Sequence, residues 1–191
     1  RIDPLFFKNK NRVVLYPSTG VLDANLICVK EYLNFYHSEL EVIILYGKTK
    51  QSLKSLILYL YTFFTSYYVI VDHAIPPFLT NKKRKIFNVW HGIPLKTIRY
   101  FDRKRFTKRF LNFESKNLNG IVCSSTVDRA IMSACFKIPP SKCILSGLPR
   151  ADLLDKNGLD WFIDPEEKQL IEKLNGRKLI SWMPSYMGNW N

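Results

Sequence analysis

The sequence predicts an α/β fold, a parallel sheet with helices on both faces. Strand-like and helix-like segments alternate along the chain. The strand segments are near-continuously apolar, as strands covered on both sides must be, and Gly, Pro and Ser gather where they end. With 191 residues, 47% apolar and 14% aromatic, the composition is globular and excludes disordered, collagenous and repeat-fibre chains. A chain of this length buries a core without needing a metal or a disulfide.

Arg12–Tyr16 reads as the first strand, closed by the turn Pro17-Ser18-Thr19-Gly20. Leu22, Leu26, Val29, Leu33 and Tyr36 then step by four and three, which lays one apolar stripe along a helix. Glu41–Tyr46 is a second strand, broken by Gly47. The uncharged run Ser55–Val71 has 17 residues, at the short end of a membrane span. Its first part carries Leu53, Leu56, Ile57, Leu60 and Phe64 at helical spacing, and its end, Tyr67–Val71, is aromatic and β-branched, so it reads as a helix followed by a third strand. Lys85–Trp90 and Gly120–Ser124 are strands four and five. Ser125-Thr-Val-Asp128 has capping-box spacing and starts a helix that runs to about Phe136, and Lys142–Ser146 is a sixth strand.

Residues 1–155 therefore form one domain. Asp164-Pro165-Glu166-Glu167 suits a helix start, so 156–176 reads as a linker and bridging helix. Residues 177–191 read as the opening strand of a second domain. The chain begins at Arg1 and ends at Asn191 just after an apolar run, so the expectation is a fragment of a longer protein. No secretory signal pattern opens it. Its four cysteines form neither a CxxC pair nor a Cys/His ligand spacing, so no metal site and no cofactor is evident. Three of the four lie in apolar runs, as reduced cysteines of a cytosolic protein do.

Open α/β sheets bind ligands beside the carboxyl ends of their strands. The segments at those ends carry Ser18 and Gly20, Asp72-His73, His91-Gly92, Ser124-Ser125 and Gly147-Leu-Pro-Arg150. Of the three histidines, His37 reads as a surface residue at a helix end, and His73 as a loop residue, with a functional role as the alternative. His91 lies at a strand-to-loop junction, in Asn88-Val-Trp-His-Gly-Ile-Pro-Leu-Lys96. Gly92 allows close approach of a ligand, Lys96 supplies a cation, and an imidazole can take a proton from a hydroxyl nucleophile. The plainer alternative is a strand-end histidine bonded to backbone.

Trp90-His91-Gly92-x-Pro94-Leu95-Lys96 resembles the WHGTPLK signature of the CDP-glycerol glycerophosphotransferase family, the teichoic-acid and capsule polymer synthases. Cys123-Ser124-Ser125 is similar to that family's S-x-S segment, Gly147-Leu-Pro-Arg-Ala-Asp152 to its GxPRND motif, and Lys178–Ser185 to a strand ending in Pro-Thr. Order and spacing agree over residues 12 to 185. Ile93 stands for the usual Thr, Ala151 for Asn, and Ser-Tyr-Met-Gly follows Pro184 where Thr-Trp-Arg is common.

The resemblance implies a Rossmann-like acceptor-side domain, one half of a GT-B architecture, with the nucleotide-donor domain following it. It implies transfer of glycerol or ribitol phosphate from a CDP-linked donor to a hydroxyl of a polyol-phosphate or glycan acceptor, at the inner face of a bacterial membrane. On that reading His91 is the base, and Trp90, Gly92, Lys96, Ser18, Gly20, Ser124, Arg150 and Asp152 bind substrate. Another sugar-nucleotide transferase or epimerase on the same fold, and a non-catalytic basic module, remain as alternatives.

The net charge is +13, and residues 82–109 hold eleven cations against Asp102 alone, a local +10. Phe106, Phe110 and Phe113 lay an apolar stripe on what reads as one basic helix between Asp102 and Leu118. With Arg103, Lys104, Arg105, Lys108 and Arg109, such a helix can lie on anionic lipid, each nearby cation adding about 1 kcal/mol. An ordinary amphipathic helix with a solvated face is the other reading. No motif that reads DNA or RNA accompanies the charge, so no nucleic-acid partner is expected.

Overall fold

The computed structural model describes residues 2–47, 52–102, 105–154, 169, 172–178 and 180. Six strands, β1 (Asn9–Tyr16), β2 (Glu41–Ile44), β3 (Ser66–Val71), β4 (Lys85–Asn88), β5 (Gly120–Cys123) and β6 (Cys143–Leu145), form one sheet. Their order is β2-β1-β3-β4-β5-β6, and every pairing is parallel. The helices are α1 (Ala24–Tyr36), α2 (Leu53–Thr65), α3 (Lys108–Asn117) and α4 (Thr126–Phe136). The order reverses between β1 and β3, so a crevice opens there at the carboxyl edge.

The two-residue period of the strands divides the core into two layers. Val13 and Leu15 face Leu26, Val29 and Leu33 of α1, and Tyr68 and Ile70 join them. Val14, Val69, Val71 and Ile86 face the other way, onto Phe63 and Phe64 of α2 and Met132, Cys135 and Phe136 of α4. Helices therefore cover both faces, as the apolar strands require. All four cysteines are buried free thiols. No helix among the described residues is long and apolar enough to cross a membrane; the uncharged run is α2 followed directly by β3.

Several element ends differ from expectation. β4 stops at Asn88 rather than Trp90, because Trp90 adopts a left-handed backbone (φ 43) that leaves the sheet. β2 ends at Ile44, and Leu45 donates to the Leu15 carbonyl without continuing the strand. Only the second half of α2 is buried; Leu53 and Ile57 of its expected core stripe are 75% and 61% exposed. Tyr36 of the α1 stripe is likewise exposed.

The expected basic helix is shorter. Thr107 is extended and accepts the Phe110 N–H at 3.2 Å, so α3 starts at Lys108 and Phe106 stacks on Phe110 from outside it. Ser125 caps α4 as its spacing predicts, accepting from the Asp128 N–H at 3.1 Å. Residues 156–176 and 177–191 lie for the most part outside the described residues, as do Arg103 and Lys104.

At the amino edge of the sheet, Arg84 is no surface cation. It is buried beside Asp3, with its guanidinium donating to the carbonyls of Phe63 (2.5 Å) and Phe64 (3.2 Å) at the end of α2. Lys8 is also buried there, 2.9 Å from Asp3, and Thr80 donates to the same carboxylate from its backbone (2.8 Å) and hydroxyl (3.0 Å). Burial lowers the pKa of both cations, against the pull of Asp3. Asp3→Ala leaves two cations buried with no carboxylate, and we expect a loss of about 3–5 kcal/mol of stability, read from urea unfolding. A Tm like that of the parent chain would show that the cluster carries no such weight.

Candidate active site at the carboxyl edge

The loops after β1, β3 and β4 and the 3-10 turn at Pro149–Leu154 converge on the crevice between β1 and β3. The centre is a cluster of three rings, in which those of His73 and Trp90 lie 5.6 Å apart and tilted. The His91 ring lies 4.2 Å from that of Trp90 and 4.5 Å from that of His73, nearly parallel to both. Trp90 reaches this position through its left-handed backbone, uncommon for a bulky side chain. Two asparagines hold it there: Asn88 Oδ1 accepts from the Trp90 N–H at 2.7 Å, and Asn25 Nδ2 donates to the Trp90 carbonyl at 2.6 Å. Gly92 follows at φ 119, and a Cβ there would stand 3.4 Å from the Arg150 guanidinium. That guanidinium donates to the His91 carbonyl at 2.9 Å, and the Arg150 N–H donates to Asn25 Oδ1 at 3.1 Å.

Beneath the rings, Asp72 is fully buried. Its Oδ1 accepts from the backbone and hydroxyl of Ser18 (3.0 and 2.9 Å) and lies 3.2 Å from His73 Nδ1. Burial alone would raise this carboxyl, but His73 and Ser18 outweigh it and hold the group below the ordinary aspartate range. The His73 carbonyl accepts from Asn88 (2.7 Å) and from Arg99 (2.8 Å). Arg99 is buried 3.0 Å from Glu114, its guanidinium 5.3 Å from the Trp90 ring centre and 5.0 Å from those of Phe106 and Phe136. Burial pushes Glu114 up to about 7, against the attraction of Arg99.

His91 is exposed as a residue, with its ring against those of Trp90 and His73. Loss of water pushes the imidazole down to about 4; His73 adds to the shift, Asp72 opposes it, and Arg150 and Arg99 lower it further. The ring is therefore neutral at pH 7 and offers a lone pair, with a guanidinium beside it. Such an arrangement can accept a proton from a hydroxyl while placing positive charge near an anion.

The sequence matches the CDP-Glycerol:Poly(glycerophosphate) glycerophosphotransferase family over residues 8–189. This chain belongs to that family. Among curated proteins no sequence matches it. Solved structures of the wall teichoic acid polymerase TagF share the fold of this chain. TagF itself superposes with a TM-score of 0.70 at 17% identity, covering 91% of this chain and 46% of its own. A histidine-to-alanine variant of TagF gives 0.70 at 16% identity, with 88% and 44% covered. A histidine-to-asparagine variant soaked with CDPG gives 0.68 at 17%, with 91% and 47% covered. The chain thus spans about half the length of these solved chains, and the likeness is one of fold, a Rossmann-like half of a GT-B architecture.

Of the residues that the glycerophosphotransferase resemblance singled out, the structure gathers Trp90, His91, Gly92, Arg150 and, through Asp72, Ser18. Gly20 closes the β1 turn at φ 88, its N–H bonded to the Pro17 carbonyl at 3.1 Å. The others lie apart. Ser124 donates its hydroxyl to Asp128 at 3.0 Å and is engaged in the start of α4. Asp152 lines a cavity of about 220 Å³ against Cys28, Tyr32 and Leu33 of α1. Lys96 is exposed, and the cations that bear on His91 are Arg150 and Arg99 instead. Arg105, Lys108 and Arg109 are exposed around the start of α3.

Asp72 stood out in the sequence only as part of the Asp72-His73 strand end, and Asn25, Asn88 and the hub role of Arg99 were not singled out. A polar residue ending an apolar strand marks Asp72 and Asn88, and Asn in the first turn of an otherwise apolar helix marks Asn25. A histidine with a depressed pKa binds fewer protons folded than unfolded between pH 4 and 6.5, so its contribution is present above pH 6.5 and lost as pH falls towards 4. We expect the His91 resonances to keep neutral-ring shifts down to about pH 4 in an NMR titration, and His91→Gln to lessen the acid-side loss of stability. A midpoint near 6.5 would contradict the lowered pKa.

Proposed function

We propose that this chain is the acceptor-side half of an enzyme that transfers an alditol phosphate, glycerol or ribitol phosphate, from a CDP-linked donor to a hydroxyl ending a polyol-phosphate chain. The observation that carries this reading is the neutral imidazole of His91, held in a ring stack at the β1/β3 crevice with the Arg150 guanidinium bonded to its own carbonyl. Membership of the glycerophosphotransferase family supports the donor, as does a TagF structure described as soaked with CDPG.

In this mechanism the acceptor oxygen attacks the phosphorus of the alditol phosphate. Its proton passes to the lone pair of His91, and the P–O bond to the CMP phosphate breaks, so CMP leaves with the bonding electrons. Arg150 offers a cation to the phosphoryl oxygens as negative charge develops. Asn25, Asn88 and Arg99 keep the ring stack in place. The net charge of +13 suits work beside an anionic membrane face.

His91→Gln in the longer enzyme should lower kcat by about 10²–10⁴-fold with little change in donor affinity, measured as CMP release with CDP-glycerol. Parent-like turnover by that variant, with an unchanged melting curve, removes His91 from the mechanism. The 191 residues by themselves should bind CDP-glycerol weakly and show no turnover, because donor and acceptor must be held in one cleft between two domains. Tight, saturable binding of CDP-glycerol in isothermal titration would place the donor on this half.

A further inference from the structure

Asp72 and His73 follow β3 directly, and the transfer step above gives neither a task. Two facts fix how the His73 ring faces. Its Nδ1 is shut off from solvent, 3.2 Å from Oδ1 of the fully buried Asp72. Its Nε2 bonds no described residue and is not shut off, in a side chain that is 35% exposed. A carboxylate oxygen has no proton to give, so the nitrogen against it must carry one; otherwise two lone pairs face each other. The neutral ring therefore keeps its hydrogen on Nδ1 and turns the Nε2 lone pair outward. Ser18 holds the carboxylate in place by donating to Oδ1 twice, at 3.0 and 2.9 Å. A histidine that only fills space needs no buried carboxylate behind it, because desolvating one costs free energy.

The His91 ring lies beside this one, 4.5 Å away between centres and 29° from parallel. Both backbones are tied down: the His73 carbonyl accepts from Asn88 (2.7 Å) and Arg99 (2.8 Å), and the His91 carbonyl from Arg150 (2.9 Å). Two imidazoles with lone pairs to offer thus stand side by side, one stacking distance apart. A single hydroxyl engages one of them. Two hydroxyls on neighbouring carbons, which stand about a hydrogen-bond length apart, engage both. Chains of glycerol phosphate or ribitol phosphate end in such a pair.

We propose that His73, oriented by Asp72, is a specificity-determining residue: its Nε2 accepts a hydrogen bond from the hydroxyl next to the one that His91 deprotonates, so the site selects acceptors ending in a vicinal diol. The inference rests on the acceptor reading above and adds to it the group recognised beside the reacting oxygen. The proton balance is unchanged. The attacking hydroxyl gives its proton to His91, and the neighbouring hydroxyl keeps its own. Holding that neighbour fixes the rotation of the terminal carbons and so aims the attacking oxygen. An acceptor without it leaves the His73 lone pair unmatched, which is how a site built for a hydroxyl rejects the analogue lacking one.

The longer enzyme is assayed by CMP release from CDP-glycerol with two synthetic acceptors: a glycerol-phosphate oligomer ending in a vicinal diol, and its analogue with hydrogen in place of the neighbouring hydroxyl. The parent enzyme should favour the diol by about tenfold or more in kcat/KM. His73→Phe, which keeps a ring against His91, should bring that ratio close to one with an unchanged melting curve. A merely structural role would lower both rates and leave the ratio alone. Independently of turnover, imidazole nitrogen shifts of the 191-residue chain, recorded with the ring neutral, should place the His73 hydrogen on Nδ1. Asp72→Asn should move it towards Nε2, because an amide can face Nδ1 with an N–H. A parent enzyme that does not discriminate, an unchanged ratio in His73→Phe, or a hydrogen resting on Nε2 in the parent chain overturns the proposal. No CMP release with either acceptor overturns the acceptor reading and this inference with it, whereas release that depends on His91 at an unchanged ratio overturns this inference alone.

Discussion

A guanidinium taken out of water needs compensating partners, and those that Arg99 gathers organise the carboxyl edge of this domain. Glu114 supplies the countercharge from α3, the His73 carbonyl accepts from the β3 loop, and the rings of Trp90, Phe106 and Phe136 close around the flat cation. One side chain thereby ties β3, β4, α3 and α4 together. The consequence for chemistry is indirect but specific. With the His73 backbone fixed and Trp90 backed by the guanidinium, the two rings that the His91 ring packs against are both held in place. Burial lowers the pKa of Arg99, Glu114 opposes the shift, and the like charge of Arg105 adds to it.

Parallel strands end together, and their last peptide groups need partners that the sheet cannot supply. Here the partners are side-chain amides. Asn88 bonds both the Trp90 N–H and the His73 carbonyl, and Asn25 bridges the Trp90 carbonyl to the Arg150 N–H across 125 residues of sequence. An amide is suited to this work because it donates and accepts at once and carries no charge to neutralise. The opposite edge uses ions instead: Arg84 and Lys8 satisfy the terminal carbonyls of α2 and share Asp3. Cations complement a helix C-terminus, so the placement of Arg84 and Lys8 at the end of α2 follows the direction of its dipole.

The basic stretch of residues 82–109 thus divides into two populations. Arg84 and Arg99 are buried, paired with carboxylates and structural, whereas Lys108 and Arg109 stand exposed around the start of α3. A charge count along the chain cannot separate them, because the offsetting acids, Asp3 and Glu114, lie outside the stretch.

The sequence by itself determined the elements and their class: continuous apolar runs such as Tyr67–Val71 have only a buried parallel strand to become, and the Ser125 spacing dictates a helix start. It also determined the family, because Trp90–Lys96 and Gly147–Asp152 are contiguous motifs readable without a fold. Tertiary structure alone decided which of the candidates meet. His91 gains its depressed pKa from loss of water and from His73, Arg150 reaches it across 59 residues, and Asp152 and Ser124, equally prominent as motif members, turn to other tasks. Strand order decided this. The crevice forms where β1 and β3 lie side by side although β2 separates them in sequence, and local periodicity carries no information about which strands become neighbours.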